Sequence, residues 1–164
     1  MTFRGSLPAA ALFMLTASAA LPAADVIRHT TPGAAIAKAV EVPAGKTMVF
    51  LSGVVPPVAD ASAPKDSPAA YGDTKTQTLA VLKVIENNLR EIGLGMKDVV
   101  KMQVFLAGDP AKGGKLDFAG MMEAYRAYFG SADQPNIPAR STVQVAALVN
   151  PGYLVEIEVA AVRP

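Results

Sequence analysis

The fold is decided by two stretches near the end of the chain, IPARSTVQVA at residues 137–146 and VEIEVAAV at residues 155–162. Both combine β-branched residues with a period of two, which predicts β-strands. Asn-Pro-Gly at residues 150–152 predicts a turn between them. We therefore expect the two strands to form a hairpin.

The alternation places a guanidinium and two carboxylates within reach of one another. Arg140 and Thr142 share one face of their strand, and Glu156 and Glu158 share one face of theirs. If the strands pair on a common surface, Arg140 could bind a small carboxylate through a bidentate pair. A neighbouring glutamate could then take a proton from water. The alternative is a solvent-exposed face on which the arginine simply pairs with the glutamates.

The preceding sequence supplies two helices and four more strands. Apolar residues recur at spacings of three and four in two segments, which predicts one helix ending before Gly93 and another at residues 116–129. The predicted strands lie at 26–29, 37–42, 47–51 and 99–106, the last apolar enough to be central. The resulting order, β-β-β-α-β-α-β-β, indicates an α+β domain with two helices on one sheet face.

Composition excludes several kinds of site. The chain of 164 residues contains no cysteine and one histidine, His29, so thiolate chemistry and a multi-histidine metal site are excluded. His29 is expected to be a surface or strand-end residue. The 15 basic and 14 acidic residues form no basic stripe, so no nucleic-acid partner is expected.

The N-terminal segment has the pattern of an export signal. Arg4 is its only charge before an apolar, alanine-rich run at residues 7–24. We predict a signal peptide at residues 1–24 and one domain at residues 25–164, periplasmic or secreted. The alternative, an uncleaved anchor, is disfavoured because the run is short for a span and contains two prolines.

The two C-terminal stretches closely resemble the signature of the Rid (YjgF) family of reactive-intermediate deaminases. Three other segments are similar to that family in the same order: FLSGVVP at residues 50–56, DVVKMQVFL at 98–106, and the segment from 117 to 129. The resemblance covers about residues 30–163. It implies a chorismate-mutase-like fold of six strands and two helices, assembled as a homotrimer with sites between subunits.

The resemblance also implies an activity and its residues. Family members hydrolyse 2-imino acids to 2-keto acids and ammonia without cofactor or metal. By this resemblance Arg140 holds the substrate carboxylate, Glu156 orients the attacking water and Ser52 lines the cleft. Because an iminium carbon is already electrophilic, the protein needs only to position the substrate and one water and to supply hydrogen bonds.

Three positions depart from the family pattern. Ile36 stands where a cleft tyrosine is usual, Met122 replaces an asparagine, and Thr142 replaces a cysteine. The first two changes predict a more apolar pocket. They also favour an alternative function, a non-catalytic trimer that captures small carboxylates. The label endoribonuclease, also attached to the family, gains no support from a basic stripe or an aromatic stacking run.

Overall fold

The computed structural model describes residue 1 and residues 25–164. The predicted signal peptide at residues 1–24 therefore lies almost entirely outside the described residues. Within the described ranges, no helix combines the length and the apolar character needed to cross a bilayer.

Residues 25–164 form six strands and two α-helices in the predicted order, with three short 3-10 turns between them. The strands are β1 (Ile27–His29), β2 (Ala39–Glu41), β3 (Met48–Val54), β4 (Val99–Leu106), β5 (Ala139–Gln144) and β6 (Val155–Val162), and the helices are α1 (Thr74–Glu91) and α2 (Phe118–Arg126). Helix α1 is followed by Gly93, whose φ of 75° is the left-handed conformation that ends many helices. Helix α2 is shorter than the predicted range at both ends; it begins after Asp117, which caps it by accepting a hydrogen bond from the Gly120 amide, and it ends at Arg126.

The strands divide into a two-stranded ribbon, β1-β2, and a four-stranded sheet ordered β3-β6-β4-β5. In the sheet, β6 is antiparallel to both of its neighbours, whereas β4 and β5 are parallel. The expected hairpin of β5 and β6 is therefore wrong, because β4 lies between them. The connection at residues 145–154 carries the chain past β4 and leaves β5 at the edge of the sheet.

One apolar core lies between the sheet and the two helices. The helices supply the fully buried Leu82, Ile85 and Met121, and β4 and β6 supply alternate residues such as Val104 and Ile157. This burial removes from water the stripe that makes α1 amphipathic, so packing stabilises the helix. The helices cover one face of the sheet. On the other face a smaller apolar cluster of Val100, Ala160 and Val162 is buried against residues in and around the β1-β2 ribbon, and the part that carries Glu156 and Glu158 is left open.

A buried amide fixes the turn that leads into β6. The Gln77 side chain donates hydrogen bonds to the carbonyls of Gly72 and Gly152 at 2.9 and 3.0 Å, and it accepts one from the Leu154 amide at 2.7 Å. The contacts with Gly152 and Leu154 are buried and the one with Gly72 is partly buried, and an unsatisfied amide in such a place is costly. Gln77 thus ties α1 to the start of β6, the strand that carries Glu156.

Candidate functional site

Arg140 lies on the helix-covered face of β5, opposite Met102 of β4. Its guanidinium carbon stands 4.2 Å from the centroid of the Tyr125 ring, and Nη2 contacts Met122 Sδ at 3.0 Å. Residues three and four apart in α2 share a face, which brings Met121, Met122 and Tyr125 to this point. The aromatic and thioether groups hold the half-buried guanidinium in place without neutralising it.

The charge of Arg140 has no acidic partner among residues 25–164. The ion pairs of this part of the chain all involve other basic residues. Burial lowers the pKa of Arg140 and the nearby Tyr125 opposes this effect, but a guanidinium stays charged in proteins. A half-buried cation of this kind favours an anionic ligand, and its fork of donors suits a carboxylate.

Thr142 adds a second group on the same face. Its Oγ1 is buried and has no hydrogen-bond partner among the described residues, which is uncommon for a buried hydroxyl. The segment containing Ile36 lies alongside: Ala37 forms a bridge with Ala139, and the Tyr125 hydroxyl donates to the Ala35 carbonyl at 2.9 Å. Arg140, Thr142, Met122 and the Ile36 segment therefore form one cluster at the edge strand.

Glu156 and Ser52 form a second cluster on the opposite, open face of the sheet. Pairing of β3 with β6 shifts register between Leu51 and Val54, at Ser52 and Gly53. The Glu156 side chain lies directly over Gly53, so closely that a Cβ there would overlap Oε1. Ser52, the neighbour of Gly53, lines a groove of about 420 Å³ on this face; the glutamate that lines this groove is Glu158, not Glu156.

Other polar residues of the open face extend this second cluster. Gln103 of β4 donates to Glu158 Oε2 at 3.1 Å, and Lys101 lines the same groove. Two large apolar side chains are exposed on this face, one on each edge strand of the sheet: Phe50 of β3 is 75% exposed and Val143 of β5 is 47% exposed. Phe50 also lines the groove, so the groove combines an exposed aromatic ring with polar residues, as interfaces often do.

The two clusters do not meet within one chain. Paired residues of adjacent strands share a face: Arg140 is opposite Met102, whose side chain is buried beneath the helices, whereas Glu156 is opposite Phe105 on the other face. The expectation that Arg140 and Glu156 share one surface is therefore wrong for a single chain. The error came from the assumption that β5 and β6 are neighbours. With β4 between them, the side of β5 that carries Arg140 and the side of β6 that carries Glu156 lie on opposite faces of the sheet.

The sequence interpretation missed Tyr125 and Met121 as neighbours of Arg140. Their helical spacing was visible, but spacing alone marks a buried face and does not say which strand that face covers. His29 lies at the end of β1, exposed, where it pairs with Glu41 at 2.5 Å. Across the described residues, no three His, Asp or Glu side chains are grouped closely enough to hold a metal ion.

Comparisons with known proteins agree with this architecture. The family described as endoribonuclease L-PSP matches residues 31–163. The chain belongs to this family. A RutC family protein of Pyrococcus horikoshii is 35% identical over 115 residues, which cover 70% of this chain and 79% of that protein. A second RutC family protein, from Pyrococcus abyssi, is 34% identical over 70% of this chain and 78% of its own length.

Solved structures of the YjgF family show the same fold. The Escherichia coli YjgF gene product aligns with a TM-score of 0.54 and 29% identity, covering 75% of this chain and 85% of that one. E. coli TdcF, solved with bound serine, aligns with a TM-score of 0.54 and 32% identity over the same shares of the two chains. A member of the Rid family from Yersinia pestis, at 24% identity and a TM-score of 0.57, supports the fold alone.

Proposed function

We propose that this YjgF-family protein hydrolyses 2-imino acids to 2-keto acids and ammonia. The observation that carries the proposal is Arg140, a half-buried guanidinium with no acidic partner among residues 25–164. Such a group is suited to the carboxylate that every 2-imino acid carries next to its reactive carbon. The buried hydroxyl of Thr142 on the same face offers a hydrogen bond to the same ligand.

A complete site requires more than one copy of the chain. Arg140 and Glu156 lie on opposite faces of the sheet, so a substrate bound by both would have to sit between two chains. The exposed Phe50 and the part of the β5 edge beyond its bridge with Ala37 are surfaces on which a second copy could pack. We propose the homotrimer implied by the family, with Arg140 and Thr142 supplied by one subunit and Glu156 and Ser52 by the next.

The chemistry needs no cofactor in this proposal. Glu156 accepts a proton from a water molecule as the water oxygen bonds to C2 of the imino acid, and it passes this proton to the imine nitrogen to give a neutral carbinolamine. In the second step Glu156 transfers the hydroxyl proton to the amine as the C–N bond breaks, which releases ammonia and leaves a 2-keto acid. Arg140 fixes the carboxylate throughout, so that C2 stays in line with the water.

The cluster around Arg140 predicts the preferred substrate. Met121 and Met122 contribute thioethers, Tyr125 contributes an aromatic face and the Ile36 segment lies beside them. These groups favour an apolar substrate side chain larger than methyl, since each buried methylene adds about 0.8 kcal/mol. Imino acids derived from leucine are therefore expected to be better substrates than the imine of alanine.

The location of the protein would determine which imino acids it meets. If residues 1–24 act as a signal peptide, the protein meets imino acids formed outside the cytoplasm, for example by membrane-bound amino-acid dehydrogenases. Free imines hydrolyse in water, so a useful catalyst must act close to their source. Fractionation and N-terminal sequencing of the protein should find a mature form beginning between Ala20 and Asp25. A full-length cytosolic form would contradict this part of the proposal.

The function is tested with imino acids generated by an amino-acid oxidase, with keto acid and ammonia followed over time. Imines from alanine, 2-aminobutyrate, leucine and phenylalanine are compared as kcat/KM for the wild type and Glu156→Gln. We expect efficiency to rise toward leucine and to fall at least 100-fold in the variant, within the range of one general acid–base group. Decay of every imine at the uncatalysed rate, with keto acids still bound, would favour the non-catalytic trimer. A best rate on the alanine imine would contradict the apolar pocket.

A further inference from the structure

A separate groove lies where four segments of the domain converge, at the far end of the sheet from Glu156. It encloses about 310 Å³. Its basic lining residues come from β1, from the turn before β3, from the turn before β4 and from the end of β6: Arg28, Lys46, Lys97 and Arg163. We call this feature the basic groove. None of its residues belongs to either cluster described above.

Arg28 is the most constrained of the four cations. Its Nη2 donates to the carbonyls of Lys97 and Val99 at 3.1 and 2.9 Å, which fixes the guanidinium between β1 and the turn before β4. Its Nε is buried and has no hydrogen-bond partner anywhere in residues 25–164. Nearly all buried donors are paired, so this donor is an unusual feature of the groove, and Asp98 offsets only part of the charge of Arg28.

The other cations of the basic groove are also free to bind an anion. Neither Lys46 nor Lys97 forms an ion pair with a described residue. Arg163 is held at its Nη1 by the Ile92 carbonyl at 2.9 Å, which anchors its guanidinium without neutralising it.

Two carboxylates limit the excess charge but do not remove it. Asp25 and Asp98 also line the groove, and Asp98 accepts a hydrogen bond from the Gly95 amide at 2.8 Å. Counting side chains alone, four cations face two anions. Pro164 is part of the same lining, and counting its α-carboxylate would still leave the cations in excess by one.

We propose that the basic groove binds the phosphate group of a small anion. A carboxylate is satisfied by one guanidinium, whereas cations that approach from four segments match a tetrahedral dianion with several acceptor oxygens. Lysines contribute point charges and arginines contribute forks of donors, the combination used in phosphate recognition. The phosphate could belong to a free anion or to a lipid headgroup, which present the same chemistry to these side chains.

Inorganic phosphate is the first probe, titrated into the isolated protein by calorimetry and by amide NMR, with sodium chloride at matched ionic strength as the reference. We expect saturable binding and shifts at the amides of residues 28, 97 and 163. In the double variant Lys46→Gln/Lys97→Gln the affinity should fall at least tenfold. The control is Lys83→Gln, which removes an exposed lysine paired with Glu86 on α1 and should leave binding unchanged.

The outcomes separate the sources of the phosphate. Binding of inorganic phosphate without cosedimentation on phosphatidic acid vesicles identifies a free anion. Cosedimentation that the double variant abolishes, and that phosphatidylcholine alone does not support, identifies a lipid headgroup. A phosphate response equal to that of sodium chloride, or equal in the double variant and the wild type, overturns the proposal. Neither result bears on imine hydrolysis, because the two sites share no residue.

Discussion

Replacement of Arg140 tests the proposed site most directly. Arg140→Ala removes a charge-assisted hydrogen bond to the substrate carboxylate, worth about 1.5–3 kcal/mol. Since about 1.4 kcal/mol corresponds to a factor of ten, the Kd of a 2-keto acid should rise roughly 10- to 150-fold. Arg140→Lys keeps the charge but loses the bidentate fork, so its Kd should lie between those of the wild type and the alanine variant.

The fold should tolerate this replacement. Loss of the cation–π contact with Tyr125, 4.2 Å away, costs roughly 0.5–2 kcal/mol. Removal of a half-buried cation without an acidic neighbour offsets part of that cost, because the charged group no longer has to be kept from water. We therefore expect the free energy of unfolding to change by less than about 2 kcal/mol, which is below the roughly 5–15 kcal/mol of a typical domain, so the variant should remain folded.

The assay is calorimetric titration of 4-methyl-2-oxopentanoate, with unfolding in urea and light scattering measured on the same samples. The matched control is Arg126→Ala, which removes an exposed arginine from the last turn of α2. The control should bind as the wild type does. An unchanged Kd in Arg140→Ala, with the protein folded, would refute the assignment and place the carboxylate elsewhere.

Three further predictions concern the contact between Gly53 and Glu156, the buried Tyr125 and the exposed Phe50. Gly53→Ala should lower kcat/KM at least tenfold, because the added methyl overlaps the Glu156 carboxylate, whereas Gly95→Ala, with no atom nearer than 4.0 Å, should retain activity. Burial raises the pKa of Tyr125 to about 12, above the usual value near 10. The folded protein should therefore lose stability between pH 10 and 12, by at most about 2–3 kcal/mol, and Tyr125→Phe should remove this loss in urea unfolding compared at pH 9 and 11.5. Phe50→Asp places a charge on the open face and should convert a trimer to monomers in light scattering; a persistent trimer would show that this face is not the interface.

Much of the fold could be predicted because its signals are local. The apolar stretch of β4 was assigned to residues 99–106, as observed, since its composition distinguishes a central strand. Gly93 marked the end of α1 through its backbone freedom. A local signal gave the wrong answer for the connection between β5 and β6. The Pro-Gly turn at residues 151–152 is compatible with a tight hairpin and equally with a longer connection that passes another strand.

The arrangement of the site depended on which strands are neighbours in the sheet, and local sequence patterns do not give that order. Alternation correctly put Arg140 and Thr142 on one face and Glu156 and Glu158 on one face, but it cannot relate the faces of two strands that are not neighbours. That relation is fixed by β4, which pairs in parallel with β5 and antiparallel with β6. Once β4 is inserted, the arginine faces the helices and Glu156 faces the open side. A chain whose two chemically suited groups point apart can use both on one substrate only through a second copy, so the sheet order itself makes assembly a requirement of the proposed reaction.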